Sequence, residues 1–368
     1  MFKSRKELIT DLRIFVGVIA TLIIIGLIFI YSASSIYASE QFGSAHYFVK
    51  KQVFGLILGL AGLLIARIIP FRLIKQLSPA IFLGTLALTA LTWLPVLSRT
   101  IHGSSRWLRI GGFSIQPSEF LKIALILYLA YFLTKKQRSI NSIMHTFIPF
   151  LIIVGLPAVV LLKQPDFGLT VTLLLTSLMM LFVAQFNINR LLIMGTSLIP
   201  LIGLLIYVQP YRLKRIATFL NPWADPQGAG FQIIQSLIAI GSGNIWGVGI
   251  SNSKQKFFYL PMQHTDFIFS IIAEETGFIG TLLLITLYIF FLYFGLRIAW
   301  QLTDTLSMLA VAGFVLLISL QALLNIAVAT ALAPTKGMGL PFVSYGNSAL
   351  IANLCMVGLI MNMASEQR

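Results

Sequence analysis

The sequence predicts an all-α, polytopic membrane protein: about ten transmembrane helices with one large extracellular loop between helices seven and eight. Three observations carry that prediction. The 368 residues are 58% hydrophobic and only 10% charged, against about half and about a quarter in ordinary soluble domains. Apolar runs of about twenty residues recur along the whole chain, the length needed to cross a hydrocarbon core of roughly 30 Å. These runs are continuous rather than alternating. In lipid only helices and closed barrels satisfy every backbone group, so helices are the reading.

The first span is expected over residues 13–36. Lys3, Arg5, Lys6 and Arg13 before it and "YSASSIYAS" within and after it give it the look of a secretory leader. Its apolar core, Ile14 to Tyr31, is longer than the roughly 7–15 residues such leaders use, and further spans follow at once, so it reads as an uncleaved helix. Six more are expected at 48–70, 78–98, 117–134, 144–162, 168–186 and 190–209, then three at 267–298, 305–333 and 341–363. Polar punctuation such as "KKQRSINS" at 135–142 and "QFNINR" at 185–190 separates them. Residues 210–266 form one long connection. A loop of that size in a compact protein is functional or disordered, and its Phe, Trp, Ile and Gly content predicts that it folds back onto the helices. No internal repeat is visible, so residues 1–368 read as a single domain.

Ten spans place both termini on one side, and the basic N-terminus, with Arg72, Lys75, Lys135, Lys136 and Arg138, puts that side in the cytoplasm. Seven basic residues then lie on short outer connections: Lys50, Lys51, Arg99, Arg106, Arg109, Lys163 and Lys336. That runs against the orientation rule. It predicts that outer cations line a site for an anionic, phosphate-bearing ligand, whereas charge embedded in a membrane protein does not suit nucleic acid. The single cysteine, Cys355, excludes a disulfide framework or a cysteine metal site, and His46, His102, His145 and His264 show no metal-ligand spacing.

Ionisable residues within or beside spans are functional candidates by default. Glu119 and Lys122, three apart, share a helix face; they are either a neutral packing pair or two walls of a polar cavity. Asp166 in "QPDFG" is placed to cap a helix. Asp266, Glu274 and Glu275 occur together in "PMQHTDFIFSIIAEETGFIG". If helical, the glutamates point about 80° and about 180° away from Asp266. At most one then shares its cavity, and the other is expected to pair with a basic group elsewhere. The glycines of "AIGSGNIWGVGIS" at 239–251 lack the GxxxxGK[ST] pattern and its strand–turn–helix context. They predict tight turns or a close backbone approach to a headgroup, and no nucleotide cofactor.

Seven motifs occur in order: "YSAS", "FVKKQ", "SSRWLRIGGFSIQPSEFLK", "QPDFG", "NPWADPQGAGFQIIQSLIAIGSG", "YLPMQHTDFIF" and "GLPFVSYGNSAL". As a set they resemble the SEDS family (shape, elongation, division and sporulation) nearly end to end, and "SKQKFFYLP" and "SIQPSEF" resemble its cell-division, FtsW-type branch more than its RodA-type elongation branch. The resemblance implies a peptidoglycan glycosyltransferase that polymerises lipid II at the outer face of the bacterial cytoplasmic membrane. Its implied partners are the nascent glycan chain, a class B penicillin-binding protein that crosslinks it, and other divisome or elongasome membrane proteins. The family's catalytic aspartate falls on Asp266, which would deprotonate the acceptor sugar hydroxyl. An ordinary aspartate is a weak base, so a raised pKa, a divalent cation (Mg or Mn) at Asp266, or both are expected. Candidate substrate contacts are Arg106, Trp107, Arg109, Glu119, Lys122 and Asp166, joined within the motifs by Lys50, Gln232, Gln235, Ser236, His264, Thr265, Ser344 and Tyr345. Met262 and Phe258 stand where the family often has acids, and Asn347 replaces a glycine. A lipid II flippase or transporter would suit ten helices equally. It would, however, spread polar residues through the bilayer depth and carry a repeat, whereas here they gather at helix ends and outer loops.

Overall fold

The computed structural model describes residues 5–94, 98–101, 104–110, 113–255 and 263–366. Twelve α-helices lie among them: α1 (Arg5–Phe42), α2 (Tyr47–Ile68), α3 (Phe71–Leu91), α4 (Pro117–Lys135), α5 (Ile148–Lys163), α6 (Phe167–Val183), α7 (Ile188–Tyr207), α8 (Pro210–Leu220), α9 (Phe231–Ser242), α10 (Ile268–Gln301), α11 (Thr305–Ala329) and α12 (Asn347–Ser365). Among the described residues, eight helices are long and apolar enough to cross a membrane. The apolar α6, of 17 residues, and α7, of 20, complete the ten expected. The two remaining helices, α8 and α9, lie in the 210–266 connection, and α9 packs back onto α10 and α11.

Two boundaries differ from expectation. The third helix runs from Phe71 and stops at Leu91, not 98. Beyond it lies a small antiparallel sheet, β1 (Ser98–Ile101), β2 (Ser104–Ile110) and β3 (Phe113–Ile115), in that order. Trp107 of β2 pairs with Arg99, and Arg109 with Ser114. Alternating β-branched and aromatic residues around His-Gly and Gly-Gly are the local signal for such hairpins. The second difference is the segment 330–346, which is not helical; α11 ends at 329 and α12 begins at 347. Its Pro334, Gly337, Gly339, Pro341 and Gly346 are the breakers that stop both helices. The freed strand of chain dips into the bundle, where Tyr288 Oη donates to the Pro341 carbonyl at 2.6 Å.

The antiparallel pair α1 and α10 measures the membrane. At one end Arg297 Nε meets Asp11 Oδ2 at 2.8 Å; at the other Ser32 Oγ donates to Glu275 at 2.6 Å. Between these ties lie about 21 residues of α1, or roughly 32 Å at 1.5 Å per residue, which is the hydrocarbon thickness. The Asp266–Glu275 region therefore sits at a membrane edge. Both glutamates are about 1% exposed, and Glu274 accepts from the Ser253 hydroxyl and the Lys254 amide. Neither lines the cavity beside Asp266. The expected limit of at most one holds, although Asp266 precedes α10 in a turn, where the helical angle does not apply.

The glycine-rich stretch approaches α10 rather than a ligand. α10 breaks at Gly277 (φ 66°, ψ −163°), and four backbone hydrogen bonds from residues 244–249 bridge the break, among them Val248 N to Glu274 O at 3.0 Å and Phe278 N to Asn244 O at 2.8 Å. Gly247 has φ 79°, and a Cβ there would overlap the Glu275 carbonyl. Gly247→Ala is therefore expected to cost about 2 kcal/mol or more. Gly241→Ala, whose Cβ meets nothing within 4 Å, should cost nothing. Thermal unfolding of the two detergent-solubilised variants checks this; equal midpoints would show that the bridge is not tight.

Candidate active site

A cavity of about 310 Å³ opens where β2, the starts of α4 and α6, the turn before α10, the face of α11 and the 337–346 segment meet. Asp166 caps α6, its Oδ1 accepting from Leu169 N at 3.2 Å, as the sequence suggested. Its other oxygen lies 3.4 Å from Arg106 Nη1. The Arg106 guanidinium also donates to the carbonyls of Gln164 at 3.3 Å and Pro165 at 2.5 Å. Gln164 is itself pinned, its Nε2 donating to Thr89 O at 2.7 Å. The "QPD" turn is thus a socket that holds one cation beside the cavity-lining Asp166.

Glu119 and Lys122 satisfy both readings of their spacing. They pair at 2.5 Å and both line the cavity. Lys122 is 1% exposed and also donates to Gln321 Oε1 on α11 at 3.5 Å.

Asp266 caps no helix; its carboxylate lines the cavity. A Cβ placed on Gly337 would lie 3.9 Å from Asp266 Oδ2 and 3.8 Å from Arg106 Nη1, so acid and cation flank one small space. The turn is fixed through its backbone. Ser344 Oγ donates to Thr265 O at 2.5 Å, and Asn325 Nδ2 donates to Asp266 O at 2.9 Å. Burial pushes the Asp266 carboxyl up to about 6, with Arg106 and Arg215 pulling it down and Asp166 pushing it up. Burial likewise raises Asp166 against the pull of Arg106.

Thr265, Ser344, Tyr345 and Trp107 line the same cavity, and burial raises the Tyr345 hydroxyl to about 12. Other sequence candidates lie elsewhere. The His264 ring sits among Phe48 at 4.4 Å, Tyr345 at 5.8 Å and Tyr37 at 6.0 Å, and burial pushes its pKa down to about 4, so it is a neutral packing ring. Ser236 is buried and joins α9 to its neighbours, 2.6 Å from Ser270 Oγ and 2.6 Å from Ala329 O. Half-buried Gln232 and Gln235 and exposed Lys50 do not line the cavity either. The Arg109 side chain, Met262 and Phe258 lie outside the described residues.

The sequence reading passed over three participants. Arg215 on α8 donates to Thr335 O at 2.9 Å and acts on Asp266 electrostatically. Gln321 lines the cavity, and Asn325 binds its wall. Gln321 and Asn325 are polar at i, i+4 in an otherwise apolar run, a signal available from the sequence. For a metal, no three His, Cys, Asp or Glu side chains converge among the described residues. Asp166, the carboxylate acting on Asp266, is already engaged by Arg106. That donor set does not make a protein-built cation cage.

Comparison with known proteins agrees with this architecture. A family model described as "Cell cycle protein", FtsW/RodA/SpoVE, matches residues 12–368. A probable peptidoglycan glycosyltransferase FtsW of Geobacter sp. (strain M18) is 41% identical over 343 residues, 93% of this chain and 94% of that protein. Stage V sporulation protein E of Bacillus subtilis (strain 168) is 40% identical over 355 residues, 95% and 96% of the two chains. Among solved structures, a chain of a peptidoglycan synthase complex that coordinates polymerization and crosslinking superposes with a TM-score of 0.80 at 29% identity, covering 96% of this chain and 97% of that one. The rod shape determining protein RodA of Thermus thermophilus shares the fold at TM-score 0.68 and 24% identity over 96% of each chain. The protein is thus a multi-pass membrane member of the FtsW/RodA/SpoVE family of cell cycle proteins.

Proposed function

We propose that this protein is a peptidoglycan glycosyltransferase that polymerises lipid II, with Asp266 as its general base. The observation that supports the reading best is a buried carboxylate tuned to about 6, facing a cavity lined by Lys122, with Arg106 next to its Gly337. A base must be ionised at the working pH yet hold a proton well enough to take one, and a pKa near 6 meets both demands. The acceptor's sugar 4-hydroxyl gives its proton to Asp266 as its oxygen attacks the anomeric carbon of the donor. The bond from that carbon to the diphosphate breaks, and the electron pair leaves on the polyprenyl diphosphate. Arg106, fixed by two carbonyls and Asp166, and Lys122 would meet that growing negative charge. A cavity of about 310 Å³ is small for a whole lipid-linked disaccharide-peptide, so it would take the reacting sugars while the lipid stays in the membrane.

The basic N-terminus and ten spans support a reading in which both termini are cytoplasmic and the cavity faces outward, where bacterial cell wall is made. A class B penicillin-binding protein would receive the strand for crosslinking. Incubating the purified protein and its cognate transpeptidase with lipid II tests the reading; absence of glycan polymer would sink it. The pH dependence is a sharper check. Because the ionised form is the active one, the turnover rate should fall about tenfold per unit below pH 6 and level off above it. A flat profile from about pH 5 to 8 would rule out Asp266 as the titrating base.

A further inference from the structure

We infer that Asn325 is a positioning residue for this reaction: its amide straps the turn that carries Asp266 to the 335–340 segment, and so fixes where the carboxylate points. This rests on the function proposed above. Asn325 is 3% exposed on α11. Its Nδ2 uses both hydrogens, one to Asp266 O at 2.9 Å and one to Met338 O at 2.8 Å. Its Oδ1 is buried with no hydrogen-bond partner. That asymmetry fixes the amide's orientation, since a flip would set an oxygen against two carbonyl oxygens.

The two segments it joins belong to different parts of the chain and meet side by side at the cavity. Met338 packs against Gly168 at the start of α6 and accepts from Thr172 Oγ1 at 3.6 Å. Thr335 is held by Arg215. One turn earlier on α11, Gln321 accepts from Lys122. A single helix face therefore ties down the base through Asn325 and the cavity's buried cation through Gln321. The side chain itself does not line the cavity nearest the reacting atoms beyond this strap; Gln321 does. Its effect should therefore appear in the chemical step and not in capture of the substrate.

The test uses the full chain with its cognate transpeptidase and lipid II. Asn325→Asp keeps the shape but leaves at most one donor, the O–H of a protonated carboxyl, where the amide has two, and Asn325→Ser is a second, shorter replacement should the aspartate variant fail to fold. Folded protein of either kind should lose about 10- to 100-fold in kcat, the scale of a small misplacement of a reacting group, with KM for lipid II within about threefold of wild type. Asn325→Gln, which restores an amide donor, should recover most of that loss. Wild-type kcat in the folded variants, or a loss confined to KM, overturns the inference. Asp266→Asn is run in parallel. If it is inactive while Asn325→Asp turns over normally, only the strap is wrong; if Asp266→Asn itself is active, the base assignment falls first.

Discussion

Asp266→Asn is expected to insert, fold and bind lipid II, and to make less than about 1% of the wild-type glycan polymer, since losing a general base costs roughly 10²–10⁴-fold. Misfolding would produce the same loss, so stability must be read alongside it. The Asp266 carboxyl moves from an ordinary 3.8 to about 6 on folding, through burial first. A folded-state pKa above the unfolded one means that the native protein holds the proton more tightly. Its stabilising contribution is complete below about pH 4 and is lost as pH rises through 6. At pH 8 the ionised carboxylate therefore costs about 3 kcal/mol in order of magnitude, and asparagine avoids that cost. The variant should unfold at the same or a higher temperature than wild type at pH 8, with the advantage vanishing near pH 4. An inactive variant that is also less stable at pH 8 would point to a structural role for Asp266.

How much of this was legible beforehand divides along physical lines. Span number follows from apolar run length, a property each segment carries by itself, and the ten runs are the ten long helices. The Glu119–Lys122 pair and the Asp166 cap were legible for the same reason: both are local, within one helical turn. What sequence reasoning missed depends on contacts distant in the chain. Ser236 sits in a family motif, but its partners are Ser270 and Ala329, which no local pattern can name. The positions of Glu274 and Glu275 were extrapolated around a helix that had not yet begun at Asp266. The β-hairpins at 98–115 were a different kind of miss, because the His-Gly and Gly-Gly signals were present and the hydropathy of the neighbouring span outweighed them. Asn325 illustrates a general bias: buried amides draw less attention than charges, although in a low-dielectric interior their unmade bonds are costly.

Lys122→Met is expected to be the most damaging single change outside Asp266, and its damage should separate into two parts. Glu119 is 8% exposed and Lys122 1%, with their charged atoms 2.5 Å apart. Removing only the lysine strands a carboxylate in a buried site, which typically costs 3–5 kcal/mol. Replacing both partners with neutral residues of similar size is often nearly neutral, because neither charge then needs solvation. Glu119→Gln/Lys122→Met should therefore recover most of the thermal stability lost in Lys122→Met. It should not recover polymerisation, because the cavity still lacks the ammonium proposed to meet the diphosphate leaving group. Two measurements on the three proteins decide this: melting temperature in detergent and turnover of lipid II at saturation. A double variant that is both stable and active would make the pair a packing element and leave the leaving-group charge to Arg106 alone. A stable but inactive one assigns Lys122 a part in the chemistry that its burial would otherwise disguise as structure.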